Sequence, residues 1–341
     1  MASLELANCE HMRLPEIPEN GNYFGAFSDI STGYATLINC YQHLAKASNQ
    51  SVVGYVATSA ISESLELSKT FTKNEVKLVL SLCFAWSLLR YLTAKVVFPA
   101  YTQSLNGMSK VMKTKLNESL WKITAYSILW LTSFYVTFYR GHDFYQNTSL
   151  LFTNDRNDIF DIKLCYALEA SFYFHALFAT LFLDAKRKDD VAMIIHHVVT
   201  LGLICFSYKI NMMTIGVLIF MLDDISDILL ELARVFKYVT LSDQYKGSTT
   251  LSNLSDTCAA LFAILWVVNR LYLHVTKVWR AAAYGAFVSA PWILPYKMSF
   301  ALNVMMTLLY VLYCYWFMFI LNFVYRIIVE KDAKDPTDDE D

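Results

Sequence analysis

His196 and His197 stand side by side in an apolar run, IIHHVVTLGLICFSY (Ile194–Tyr208). A second run, MLDDISDILLE (Met221–Glu231), carries Asp223, Asp224, Asp227 and Glu231. On a helix, His196, Thr200 and Ser207 share one face, with His197 about 100° around from them. Asp224, Asp227 and Glu231 fall within roughly 60° of one another. His197 and Asp223 lie equally far in sequence on either side of Ile210, so an antiparallel hairpin brings histidines and acids to one level. An imidazole facing carboxylates suits a general base or a nucleophile, because a carboxylate orients the ring and stabilises its protonated form. A purely structural polar network is the plainer alternative.

The elements that position these groups are membrane helices. Of 341 residues, 56% are hydrophobic and 17% charged, and the mean hydropathy is +0.36. A soluble protein carries about 25% charged residues. A spanning helix needs about 20 mostly apolar residues, and the chain offers seven candidates, near 76–98, 119–139, 161–183, 191–209, 212–236, 254–275 and 298–328. An aspartate at mid-bilayer costs about 2.5–3.5 kcal/mol, so the acids of 212–236 would cost on the order of 10 kcal/mol facing lipid. They must therefore line a polar interior. His175 and Glu169, in 161–183, either line the same cavity or serve packing. Arg270, in 254–275, needs a carboxylate partner. The many Tyr and Phe residues are the ordinary filling of helix contacts and interfacial belts, and also suit a lipid tunnel.

Residues 1–75 are mixed in character, carry no cleavable signal pattern, and are expected on the luminal side. The tail 331–341 is acidic and is expected to be disordered and cytosolic, with Thr337 before Asp338, Asp339 and Glu340 as a weak phosphorylation candidate. Basic residues in short loops set orientation. Lys110, Lys113 and Lys115, then Lys186, Arg187 and Lys188, then Lys237 and Lys246, place the ends of odd-numbered helices in the cytosol. Lys277 and Arg280 are mildly discordant. The N-terminus is then luminal and the C-terminus cytosolic, and the sequon Asn49-Gln50-Ser51 is open to glycosylation. The loop sequon at Asn147 is also luminal, whereas those at Asn117 and Asn253 face the cytosol and stay bare. The net charge of −2 gives no nucleic-acid signature. The seven cysteines are scattered without metal spacing, so neither a disulfide framework nor a metal site is expected.

The chain resembles the TLC-domain family, and within it the ceramide synthases. The resemblance rests on His196-His197 with Thr200, Ser207-Tyr208, Asn211, Gly216, Asp224-Ile225-Ser226-Asp227 and Leu230-Glu231 at the family's spacing. Flanking stretches extend it: LNESLWK, SFYFHALFATLFLDAKRKD, NRLY and YCYWFMFIL. It covers roughly residues 76–328, with 76–100 as a first transmembrane helix and 115–330 as the catalytic domain. It looks closest to the branch without a homeodomain, which favours stearoyl-CoA. One position departs: the family has His directly before Asp-x-Ser-Asp, and this chain has Asp223.

The resemblance implies an all-α membrane bundle enclosing a long acyl tunnel, in the endoplasmic reticulum. It implies transfer of an acyl group from acyl-CoA to the amine of a sphingoid base, with no cofactor, no metal, and a possible homo- or heterodimer. His196 then takes the acyl group covalently or deprotonates the amine, and His197 assists. Asp224 and Asp227 orient the imidazole. His175, Thr200, Ser207, Asp223, Glu231 and Arg270 are expected around the substrates. Lys186, Arg187 and Lys188 attract CoA phosphates or merely set topology. A non-catalytic lipid-binding TLC protein is the runner-up; a seven-helix receptor and a haem or di-iron oxidase fit less well.

Overall fold

The computed structural model describes residues 23–55, 58, 71–139, 160–184, 186–210, 212–285 and 297–326. The acidic tail, the Asn147 sequon and Asn211 lie outside the described residues. Every described element is helical: α1 Tyr23–Ala47, α2 Lys73–Thr102, α3 Lys110–Phe134, α4 Phe160–Phe182, α5 Asp190–Lys209, α6 Met213–Val239, α7 Thr249–Tyr284 and α8 Lys297–Tyr325. Turns of π-helix interrupt α2 at Leu92–Val97, prolong α3 over Tyr135–Tyr139 and make up α7 from Trp266 to Trp279. The chain is an all-α membrane bundle.

Five of these helices, α2, α4, α5, α7 and α8, are long and apolar enough to cross a membrane by composition alone. Helices α3 and α6 occupy the second and fifth expected spans but fail that criterion. The reason is charge: α3 begins KVMKTKLNESLWK, and α6 holds the acids. Helix α1 was not expected from the mixed composition of residues 1–75. It packs on the far end of α7, where Phe27 meets Trp279 edge-on and Arg280 Nε donates to Asp29 Oδ2 at 2.7 Å. Tyr34 Oη donates to the Asn303 carbonyl of α8 at 2.6 Å.

Lipid is as apolar as leucine, so packing and polar contacts, rather than burial from water, join the helices. Helix α6 is central, touching α3, α4, α5 and α7. That position removes Asp223, Asp224 and Glu231 from the surface. Helix α8 closes the bundle against α5 and α7. Helix α2 lies at the edge, with Leu80 and Phe84 exposed and Trp86 turned inward to donate to Ser171 Oγ of α4 at 3.1 Å. Its start is fixed by a capping box of Thr72 and Glu75.

The cysteine expectation needs correcting. Cys40, on α1, is disulfide-bonded, while Cys83, Cys165, Cys205, Cys258 and Cys314 are free. Spacing along a chain does not reveal which cysteines meet in space, so the sequence could not exclude this bond.

Candidate active site

Two cavities meet at His196. The larger, of about 1180 Å³, opens at the end of the bundle that carries the basic loops. Its walls include Lys115, Lys122, Arg187, Lys188, Arg234 and Lys237, together with Asp227, Glu231, His175 and His197. The inner cavity is narrow, with about 30 Å³ of free space, and mostly apolar. Leu203, Ile204, Ile219, Phe220, Met306 and Leu309 line it, with Thr200, Ser207 and Asp223 as polar exceptions. His196, Tyr173 and nothing else of α4 or α5 border both spaces. The hairpin of α5 and α6 thus brings the histidines and the acids to one level.

Aromatic rings frame the junction. The His196 ring lies 5.5 Å from Trp316 at 85° and 5.9 Å from Tyr173. Trp316 is itself held by a 2.9 Å hydrogen bond from Nε1 to Asp189 Oδ2. His197 Nε2 sits 3.3 Å from Thr180 Oγ1. His196 Nδ1, His197 Nδ1 and Thr200 Oγ1 are buried and make no hydrogen bond within the protein. A side chain of this kind is ready to engage a substrate.

The acids are arranged differently from the sequence expectation. Among the described residues, no hydrogen bond or ion pair joins either histidine to Asp224 or Asp227. Asp223 and Asp227 instead face α7 and α8, while Asp224, expected to orient the imidazole, hydrogen-bonds Glu169 of α4. Arg270 donates from Nη2 to Asp227 Oδ1 at 2.7 Å and to the Asp223 carbonyl at 3.0 Å, and from Nε to Ser226 Oγ at 3.1 Å. The Arg270 guanidinium also lies 4.3 Å from the Trp266 ring, a cation–π contact. Asp223 accepts from Tyr313 Oη and lies 3.8 Å from Arg270 Nε. The π-helical stretch of α7 is what turns both Asn269 and Arg270 toward α6, where Asn269 Nδ2 donates to the Leu222 carbonyl at 2.8 Å. Such stretches are rare and gather at functional sites. The carboxylate partner that the sequence demanded for Arg270 is therefore Asp227, with Asp223 beside it.

The remaining expected residues are spread out. Glu231 pairs with Arg234 at 3.0 Å on the wall of the larger cavity. His175 shares a 3.1 Å hydrogen bond with Ser87 Oγ and packs edge-on against Trp121, so it lines the cavity while tying α2 to α4. Ser207 lies at the deep end of the inner cavity, far from His196, and is bonded to Tyr166 Oη at 3.0 Å. Lys186 is exposed, with its ammonium 3.6 Å from Asp190. At the mouth, Asp184 accepts from Arg90 at 2.5 Å and lies 3.6 Å from Lys122. Burial works to raise the Asp184 carboxyl pKa, but Lys122, Arg90 and Arg187 together hold it below the ordinary carboxylate value.

A TLC domain model matches residues 115–322, well over half of the chain. The chain belongs to the TLC-domain family, among its ceramide synthases. Mouse ceramide synthase 1 is 30% identical over 259 residues, which is 74% of this chain and 72% of that protein. Ceramide synthase LOH2 of Arabidopsis thaliana is 30% identical over 246 residues, 68% and 77% of the two chains. Human ceramide synthase 1 is 33% identical over 218 residues, but there the match spans only 61% of the relative's length. The TLC domain contains every residue that lines the inner cavity.

Several residues of the site escaped the sequence reading. Tyr173, Trp266, Tyr313 and Trp316 frame His196 and Arg270, yet aromatic residues are so common here that composition could not single them out. The adjacency of Tyr313 and Trp316 within YCYWFMFIL was visible only as part of the resemblance.

Proposed function

We propose that this chain is an acyl-CoA-dependent N-acyltransferase that joins a long-chain acyl group to the amine of a sphingoid base, giving a ceramide and free CoA. The observation that carries the reading is the position of His196. It stands where a wide, cation-walled vestibule meets a narrow apolar cavity. An acyl-CoA has that same division: a phosphate-bearing head, a thioester, and a hydrocarbon tail. With the tail in the inner cavity and the head in the vestibule, the thioester falls at His196.

The chemistry then needs one basic nitrogen. The new C–N bond forms at the thioester carbon, the C–S bond breaks, and the amine loses a proton that ends on the CoA sulfur. His196 either carries the acyl group between the two partners or takes the amine proton; a group of this kind contributes about 10²–10⁴-fold in rate. His197 supports it. Asp223 and Asp227 keep Arg270 in place at the wall of the site. Asp223, the position at which the chain departs from the family motif, is bound into the Arg270–Tyr313 network rather than left free. Vestibule cations such as Lys188 and Lys237 attract the phosphates of CoA.

The chain sits in the endoplasmic reticulum membrane with its vestibule toward the cytosol, where acyl-CoA is found. Helix α1, Asn49 and the Cys40 disulfide are then luminal, on the oxidising side. The reading is tested by expressing the full chain in cells deprived of their own ceramide synthesis. Appearance of ceramide from a labelled sphingoid base is expected. A matched level of protein with no ceramide at any acyl length would favour a lipid-binding TLC protein instead.

A further inference from the structure

One bulky side chain in the lining of the inner cavity sits at the level of Ser207 and Gly216. Tyr166, on α4, is 2% exposed and projects among α4, α5 and α6. Its hydroxyl lies against Gly216 of α6, where an added Cβ would come within 1.9 Å of Tyr166 Oη. Gly216 is therefore the notch that admits the phenol. On the other side Ser207 of α5 holds the hydroxyl at 3.0 Å, and Ser207 in turn donates to the Ile204 carbonyl at 3.2 Å. Phe220 packs edge-on against the ring at 5.4 Å. Three helices thus fix a large, polar-tipped side chain in the wall of this mostly apolar cavity.

Depth follows from helix rise. Tyr166 precedes Tyr173 by two turns, and Gly216 precedes Asp223 by the same interval, which at 1.5 Å per residue is about 10 Å beyond the level of His196. Ser207 follows His196 by three turns, about 16 Å. The stop therefore lies about 10–16 Å from the reacting nitrogen. One leaflet of a bilayer's roughly 30 Å hydrocarbon core is about 15 Å deep. The space is therefore of bounded length, and the acyl chain it takes is bounded with it.

We propose that Tyr166, seated in the Gly216 notch and pinned by Ser207, is the stop that sets the longest acyl chain this protein accepts. The proposal rests on the acyltransferase reading of the same site. A terminal methyl that arrives at the phenol meets a hydroxyl already satisfied by Ser207, and cannot pass without breaking that bond. Removing the ring joins the space it fills to the cavity.

The test compares full-length wild type, Tyr166→Ala and the gentler Tyr166→Leu. Each is given a sphingoid base with palmitoyl-, stearoyl-, arachidoyl- and lignoceroyl-CoA. The expected result is a rise in the lignoceroyl-to-stearoyl product ratio by at least about tenfold, the discrimination a pocket exerts for even one methylene. An unchanged ratio in a variant that retains stearoyl turnover overturns the proposal. A second measurement is independent of turnover: thermal stabilisation of the purified proteins by non-reactive thioether analogues of the same acyl-CoAs. Wild type should be stabilised up to a definite chain length and lose the effect beyond it, and the variants should move that limit to longer chains. If wild type makes no ceramide but the limit moves, the acyltransferase reading fails and the stop stands. Stabilisation that ignores chain length in wild type and variants alike overturns the stop.

Discussion

Arg270→Met removes the cation that faces Asp223 and Asp227 inside the bundle, and its cost can be worked from the geometry. The guanidinium is lost from three hydrogen bonds, of 2.7 Å to Asp227, 3.0 Å to the Asp223 carbonyl and 3.1 Å to Ser226. Breaking a buried ion pair by deleting one partner costs about 3–5 kcal/mol, because the other charge is left behind. That cost has a ceiling. The stranded carboxylate can take up a proton instead, which from an ordinary aspartate pKa of about 3.9 costs about 4 kcal/mol at pH 7. Asp227 also borders the vestibule with its side chain 23% exposed, so water softens the loss. The expected destabilisation is therefore about 3–4 kcal/mol at pH 7. At pH 5 the ceiling falls to about 1.5 kcal/mol, because protonation is then nearly free. The sign is fixed: the variant's deficit shrinks as pH falls. Denaturation of the purified protein in detergent at both pH values reads this directly. Adding Asp227→Asn to Arg270→Met should recover part of the loss, since only Asp223, still hydrogen-bonded by Tyr313, is then left without its cation. A deficit below about 1 kcal/mol at pH 7, or one that does not change between pH 7 and pH 5, would refute the reasoning.

Other expectations follow from the same structure. Trp316→Phe loses the Asp189 hydrogen bond and the support of the His196 ring, so kcat should fall by up to about a hundredfold with little change in KM; steady-state kinetics decide it. The Asp184 cluster stabilises the fold fully above the ordinary carboxylate pKa of about 3.9 and loses its contribution as pH falls through the lower value held in the folded state. Asp184→Asn should consequently lower Tm at neutral pH, with the gap to wild type closing only in strong acid. Asn49 is exposed at the end of α1, and a luminal α1 predicts a glycan there; untreated Asn49→Gln should run faster than untreated wild type by one glycan, and glycosidase treatment should bring the two to the same migration.

Much of this arrangement could be read from residues alone. The antiparallel hairpin of α5 and α6 followed from apolar run lengths and from the equal distances of His197 and Asp223 from Ile210. The cost of four acids in one membrane helix required an enclosed α6, and α6 is central. The partners of those acids were harder. Arg270 announced itself by needing a carboxylate, but its choice of Asp227 depends on the π-helical phase of α7, which no periodicity rule anticipates. Tyr313 and Trp316 were hidden among many aromatic residues with similar spacing. Helix α1 was missed because its sequence, YFGAFSDISTGYATLINCYQHLAKA, mixes Gly, Ser and Thr with apolar residues, and contacts with α7 and α8 are what stabilise it. The Cys40 bond illustrates the same limit, since tertiary proximity leaves no trace in spacing.

The proposed acyl transfer takes place at the junction where His196 joins the vestibule to the inner cavity. The most direct measurement is the rate of ceramide formation from stearoyl-CoA and a sphingoid base, for purified wild type and His196→Ala at equal folded concentration. The expected result is a loss of at least about a hundredfold in kcat, with acyl-CoA still bound by the variant. A variant that retains the wild-type rate within a few-fold would place the chemistry away from His196.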